Sequence, residues 1–66
     1  MDLELLKTLQ ECEATAGRLL ELLERDREDM PGCVSGELLA EYLRGTDGAI
    51  HITRAIREEV RVLQML

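Results

Sequence analysis

The chain has few aromatic residues and no long apolar run. Its 66 residues include no Trp, no Phe and a single Tyr. A chain this short, without bulky aromatic side chains, allows one domain with a thin apolar core. Its longest apolar run is far shorter than the roughly 18 residues that a membrane span needs. The opening residues MDLE lack the basic and apolar regions of a signal peptide, so we expect a cytoplasmic protein.

Basic residues and metal ligands are also scarce. Lys and Arg number 8 against 14 Asp and Glu, which gives a formal net charge of −6. Nucleic acid and anionic membranes attract basic surfaces, so we expect neither as a partner. The two Cys and one His show no CxxC or HxxxH spacing and predict no metal site or cofactor. In a cytoplasmic protein, Cys12 and Cys33 are expected to be reduced thiols.

No group of residues indicates catalysis. A nucleophilic pair would have to combine His51 with Cys12 or Cys33. Cys12 falls on an apolar helix position, and Cys33 falls in a loop several helical turns from His51. The chain also lacks a Gly-rich phosphate loop and the Glu-x-x-His motifs of di-iron bundles. We therefore expect no enzyme activity and no small-molecule substrate.

The residues that are abundant favour helix, with one break. Leu, Glu, Arg and Ala dominate the chain, and all four are good helix formers. Pro31 disfavours helix at the residue before it, Gly32 tolerates positive φ, and Ser35 is a good N-cap. The sequence therefore predicts a single domain with a helix at 2–30, a turn at 31–35 and a helix at 36–66.

Apolar and small residues recur in steps of three and four along both segments, which is the heptad pattern of a helix seam. The predicted seam consists of Leu5, Leu9, Cys12, Ala16, Leu19 and Leu23 in the first helix, and of Leu39, Tyr42, Thr46, Ala49, Thr53, Ile56, Val60 and Leu63 in the second. Because this pattern keeps its phase across Gly45–Gly48, we favour a continuous second helix over one that kinks there. The fold class expected is all-α: an antiparallel, coiled-coil-like two-helix hairpin.

A hairpin folded about Gly32 has a definite register. Seam residues then face each other in pairs: Leu23 with Tyr42, Ala16 with Ala49, and Leu5 with Val60. The central pair is small, and we expect Gly17 and Gly48 beside it to bring the two helix axes close together.

Two helices touch along one line, so this seam leaves other apolar side chains uncovered. We assign a partner-binding face to five of them: Leu20, Leu38, Leu43, Ile50 and Ile52. Soluble monomers rarely expose so large an apolar surface. We therefore expect a protein interaction module that a helical partner completes. The alternative is a homodimeric four-helix bundle that acts as a regulator or scaffold.

The layout resembles the small E-type co-chaperones of bacterial type III secretion. The similar parts are LLELLE at 19–24, DMPG at 29–32 and the segment 38–56. Within that segment, YLR at 42–44 and AIHI at 49–52 fall where the family has an aromatic-bearing stretch and an apolar stretch. The resemblance covers roughly residues 10–60.

This resemblance implies a specific role. Such proteins pair with a larger helical-repeat chaperone, and the pair keeps the needle-forming subunit soluble in the cytosol before export. This chain would then stabilise the larger chaperone, and its assigned partner-binding face would dock by helix-in-groove packing.

Overall fold

Two long helices make up almost all of the computed structural model, which describes residues 2–66. Helix α1 spans Leu3–Asp29, a 3-10 turn spans Met30–Gly32, and helix α2 spans Gly36–Gln64. The bounds of the two helices lie within two residues of the predicted ones. The two helices pack against each other and the described residues contain no strand. The chain is a helical hairpin, as the sequence predicts.

Local chemistry explains where α1 begins and ends. The carboxylate of Asp2 accepts a hydrogen bond from the backbone N–H of Glu4 at 3.3 Å, which satisfies one of the free donors of the first turn. At the other end, Pro31 sits in the 3-10 turn, where a missing N–H costs little. The N–H groups of Cys33 and Val34 both donate to the carbonyl of Met30, at 2.9 and 3.0 Å. The 3-10 turn therefore closes α1.

The chain reverses its direction just before α2. Ser35 is the N-cap residue with an extended backbone, but its side chain makes no capping hydrogen bond. Gly36 has φ +68, a backbone conformation that glycine adopts without steric cost. From there α2 continues through Gly45 and Gly48 without a break. The prediction of a continuous second helix, which rested on the constant heptad phase, is therefore confirmed.

The predicted register of the hairpin is wrong. The Arg27 side chain forms an ion pair with Asp47, whereas a hairpin folded about Gly32 would place it near Leu38. The two helices are thus offset by about two and a half helical turns along α2. The reason is local, because the 3-10 turn adds three residues after α1 and the reversal follows at 33–36.

Three parallel rows of residues along each helix describe how the helices meet. The core row is Leu9, Ala16 and Leu23 on α1, with Leu39, Thr46, Thr53 and Val60 on α2. The mixed row is Leu6, Glu13 and Leu20 on α1, with Leu43, Ile50, Arg57 and Gln64 on α2. The outer row is Leu5, Cys12 and Leu19 on α1, with Tyr42, Ala49, Ile56 and Leu63 on α2. Each row repeats every seven residues, so either flanking row can join the core row in a heptad seam.

The hairpin closes on the core row and the mixed row. Leu20 and Ile50 of the mixed row are 5% and 7% exposed, whereas Leu19 and Ile56 of the outer row are 47% and 51% exposed. The predicted seam combined the core row with the outer row, so half of it is wrong. Each helix is turned by about 50°, or half of the angle between successive residues, from the predicted orientation.

The interface between the two helices is thin. Among the described residues, only Ala16, Leu20, Ile50 and Val60 are buried apolar side chains, and none of them is fully buried. Thr53 is also buried, and its hydroxyl donates to the carbonyl of Ala49 at 2.7 Å within α2. Such a seam contributes little apolar burial for a chain of this length.

Candidate protein interaction surface

The outer row lines an open groove along one side of the hairpin. It is lined by the exposed side chains of Cys12, Leu19 and Ile56, by the buried Ala16 and Thr53, and along α1 by Thr8, Glu11 and Thr15. Its volume is about 430 Å³. Residues from both helices thus combine in a single apolar depression that is open to solvent.

The groove is more apolar than the seam that the hairpin uses for itself. Up to Leu19 on α1 and throughout α2, the outer row contains no charged residue, whereas the mixed row includes Glu13 and Arg57, both half-buried. Turning the outer row inward would bury more apolar side-chain area. The more apolar row is therefore the one left uncovered.

The outward face of α2 extends this apolar surface. From Tyr42 onward, the outer row of α2 and the two rows beyond it on the groove side are mostly apolar or small: Tyr42, Gly45, Gly48, Ala49, Ile52, Ala55, Ile56, Glu59, Val62, Leu63 and Leu66. Only Glu59 is charged, and Ile52 is 58% exposed. A Cβ added at Gly45 or Gly48 would meet nothing within 4 Å. We call the outer row together with this outward face of α2 the apolar face.

The outward side of α1 is different, because it is charged. It carries Lys7, Glu11, Arg18, Glu21 and Arg25, all exposed. A helix that is apolar on most of its circumference is typical of one that neighbours cover on several sides. α2 carries the wider apolar surface of the two helices, although its remaining outward row holds Arg44, His51 and Glu58, so α2 is the helix better suited to contact a partner.

Cross-helix ion pairs occupy the edge of the hairpin opposite the groove. Arg54 donates to Glu24 at 2.9 Å, and Arg61 donates to Glu13 at 2.9 Å. The amide of Gln64 adds a second hydrogen bond to Glu13 at 2.8 Å. Exposed pairs of this kind each contribute little to stability, but their spacing matches one register only.

The same contacts set the pKa values of two carboxyl groups. Hydrogen bonds from Arg61 and Gln64 lower the pKa of Glu13, and the hydrogen bond from Arg27 lowers the pKa of Asp47. Both groups are thereby held ionised, as carboxylates in surface ion pairs are. A general acid would need the opposite shift.

The structure divides the five residues predicted to bind a partner. Leu38 is 62% exposed, Ile52 is 58% exposed, and Leu43 is half-buried at the mixed row. Leu20 and Ile50 are buried between the two helices, so their predicted place on an uncovered flank is wrong. The cause is the rotation described above, which exchanged the mixed row and the outer row.

Sequence reasoning missed the outer row as a surface because apolarity alone chose the seam. Cys12, expected in the core, is exposed in the groove. Complementary charges could have revealed how each helix is rotated about its axis. Only when the mixed row faces inward do the opposite charges of the two helices meet on one side of the hairpin, as for Glu13, Glu24, Arg54 and Arg61.

The glycines also have a different role from the one expected. A Cβ at Gly17 or Gly48 would meet no atom within 4 Å, so neither glycine brings the two helices of the hairpin together. Gly48 instead lies in the middle of the outward face of α2. There it leaves a shallow place on the surface that another helix could approach closely.

No protein-family model, curated protein or solved structure matches this chain. Across residues 2–66, neither helix is long and apolar enough to cross a membrane. The same stretch has no group of three His, Cys, Asp or Glu side chains placed to hold a metal ion. His51 and Cys33 are both exposed.

Proposed function

We propose that this chain is a non-enzymatic interaction module that packs its apolar face against a helical partner protein. One observation carries the proposal. Leu19, Ile52 and Ile56 lie exposed on one side of the hairpin, while the hairpin itself closes on a more polar row. Exposed contiguous apolar surface of this kind is typical of protein interaction sites.

The amount of exposed surface supports the same proposal. The chain exposes 5043 Å². A compact monomer of its mass of 7.5 kDa is expected to expose about 4,250 Å². The excess of about 800 Å² equals the area that one partner contributes to an interface of standard size. A partner that covered the apolar face would therefore reduce the exposed area of this chain to about that of a compact protein of the same mass.

The finer proposal is a cytoplasmic co-chaperone that stabilises a larger helical-repeat chaperone of a type III secretion apparatus. The resemblance at residues 19–24, 29–32 and 38–56 supports it. The apolar face adds support, because a helix pair with one exposed apolar side suits docking in the groove of a helical-repeat protein. In such a complex α2 would be the helix in contact with the chaperone.

Co-purification with substituted chains tests the proposal. We expect tagged chain from the cytosol of its source organism to retain a helical-repeat protein in a one-to-one complex that can be rebuilt from purified components. Ile56→Asp should abolish the complex, because it puts a charge into the groove. Leu3→Asp is the matched control, since Leu3 is 69% exposed but lies on the side of α1 away from the groove.

Sedimentation of the purified chain gives the contrary outcomes. A concentration-dependent dimer that Ile56→Asp dissociates would favour the homodimeric four-helix bundle instead. A compact monomer with no partner, and with the same stability after Ile56→Asp, would refute an interaction role for the apolar face.

A further inference from the structure

The charged residues within the outer row and the row beyond it are all negative. The outer row continues at Asp26, and the row beyond it holds Asp29 on α1 and Glu59 on α2. Glu11 lines the groove itself. Within residues 2–66, neither the outer row nor the row beyond it contains Lys, Arg or His.

The basic residues lie elsewhere. Arg27, Arg54 and Arg61 are engaged in the ion pairs of the opposite edge, and Arg57 belongs to the mixed row. The other four bases fall on the outward side of α1 or on the far side of α2: Lys7, Arg18, Arg25 and Arg44. Asp26, Asp29 and Glu59 therefore lie in the outer row and the row beyond it without a base in the same rows.

We infer that the apolar face binds an amphipathic helix whose apolar stripe is flanked by Lys or Arg, and that it does not bind a second copy of this chain. The inference rests on the proposed function and specifies the partner. Basic flanks would lie against Glu11, Asp26 and Glu59, which complements their charge. A second copy would bring the same carboxylates to the interface, and like charges facing each other oppose association.

Synthetic helices can test this directly. The probe is a 21-residue peptide of about six helical turns, with Leu at the two seam positions of each heptad and Lys at the two flanking positions. Its counterpart has Glu in place of every Lys. We expect the Lys peptide to bind the intact chain at least about tenfold more tightly in 50 mM salt, with a smaller advantage in 300 mM salt because salt screens exposed charges.

Two substitutions separate docking from general attraction between opposite charges. Ile56→Asp makes the chain more acidic, so non-specific attraction would grow, whereas docking in the groove would be lost. Replacing Glu11 and Glu59 by Gln should reduce the preference for the Lys peptide several-fold. The matched control replaces Glu21 and Glu28 by Gln, which removes the same charge away from the groove and should leave the preference unchanged.

Any other outcome overturns the inference. The outcomes differ in whether they also contradict the proposed function. Equal binding of the two peptides would reject a basic partner but keep the apolar face as an interface. No peptide binding, with a dimer that Ile56→Asp dissociates, would make a second copy the occupant. No binding and no self-association would remove the proposed function as well. Tighter binding of the Lys peptide to Ile56→Asp than to the unmodified chain would show attraction outside the groove.

Discussion

Leu19 and Leu20 are adjacent in the sequence and have opposite environments. Leu20 is 5% exposed between the helices, and Leu19 is 47% exposed in the groove. Two heptad patterns overlap in this chain, and both place the core row inside. The choice between their second rows is what the sequence left undecided. Counting apolar residues selected the outer row, because Cys12 and Ile56 are more apolar than Glu13 and Arg57.

Alanine substitutions at these two leucines test the orientation of α1. We expect Leu20→Ala to lower the free energy of unfolding by about 2–4 kcal/mol, because it leaves a cavity in a thin interface. Leu19→Ala should cost less than about 1 kcal/mol, as expected for an exposed position. Urea denaturation followed by circular dichroism measures both. A larger loss at Leu19 than at Leu20 would mean that α1 is turned toward the seam predicted from the sequence.

At the scale of elements, the sequence predicts the helices well and their register poorly. Pro31 and Ser35 mark the break, and the constant heptad phase carries α2 across Gly45 and Gly48. The register of the two helices depends on the backbone conformation of the turn residues. A 3-10 turn followed by an extended Ser35 has no distinctive sequence pattern. Ion pairs such as Arg27 with Asp47 then select among registers that the apolar pattern allows equally.

Two glycines of α2 should respond to alanine in opposite directions. Gly48→Ala should raise the free energy of unfolding by about 1 kcal/mol, because Gly48 lies inside a helix with open space around it. Gly36→Ala should lower it by about 1–2 kcal/mol, because φ +68 is strained for any residue with a Cβ. Thermal denaturation of the two variants measures the signs. A gain at Gly36 would show that the turn is built differently.

The ion-paired edge makes the hairpin sensitive to acid. Glu13 and Asp47 have pKa values in the folded chain that are lowered by their hydrogen bonds. A carboxyl group with a lowered folded pKa stabilises the fold above its unfolded pKa, near about 4, and this contribution is lost as the pH falls through the folded value. We therefore expect the melting temperature to decrease as the pH falls below about 4.5.

Carboxyl-to-amide variants assign this pH dependence. Glu13→Gln and Asp47→Asn should each flatten the acid side of the curve of melting temperature against pH. Glu21→Gln, on the charged outward side of α1, should leave its shape unchanged. The same slope in all four chains would place the acid sensitivity elsewhere in the chain.

For the whole molecule, the important property is the difference between its two sides. One edge is polar and has its charges paired across the helices, while the other is an apolar groove next to the outward face of α2. The expectation that two helices leave apolar surface exposed follows from the sequence alone. Only the packing of the two helices identifies the residues that form that surface, since Leu20 and Ile50 lie inside and Leu19 and Ile56 lie outside.

The most direct test of the account uses the two native thiols as reporters. Cys12 lies in the groove and Cys33 in the turn, and both are exposed. In the free monomer we expect iodoacetamide to alkylate them at rates within a few-fold of each other. In complex with the partner, alkylation of Cys12 should slow by at least about tenfold while Cys33 is unaffected, because occupancy of the groove excludes the reagent. A slow Cys12 in the free monomer, or a Cys12 that stays equally reactive in the complex, would contradict the account.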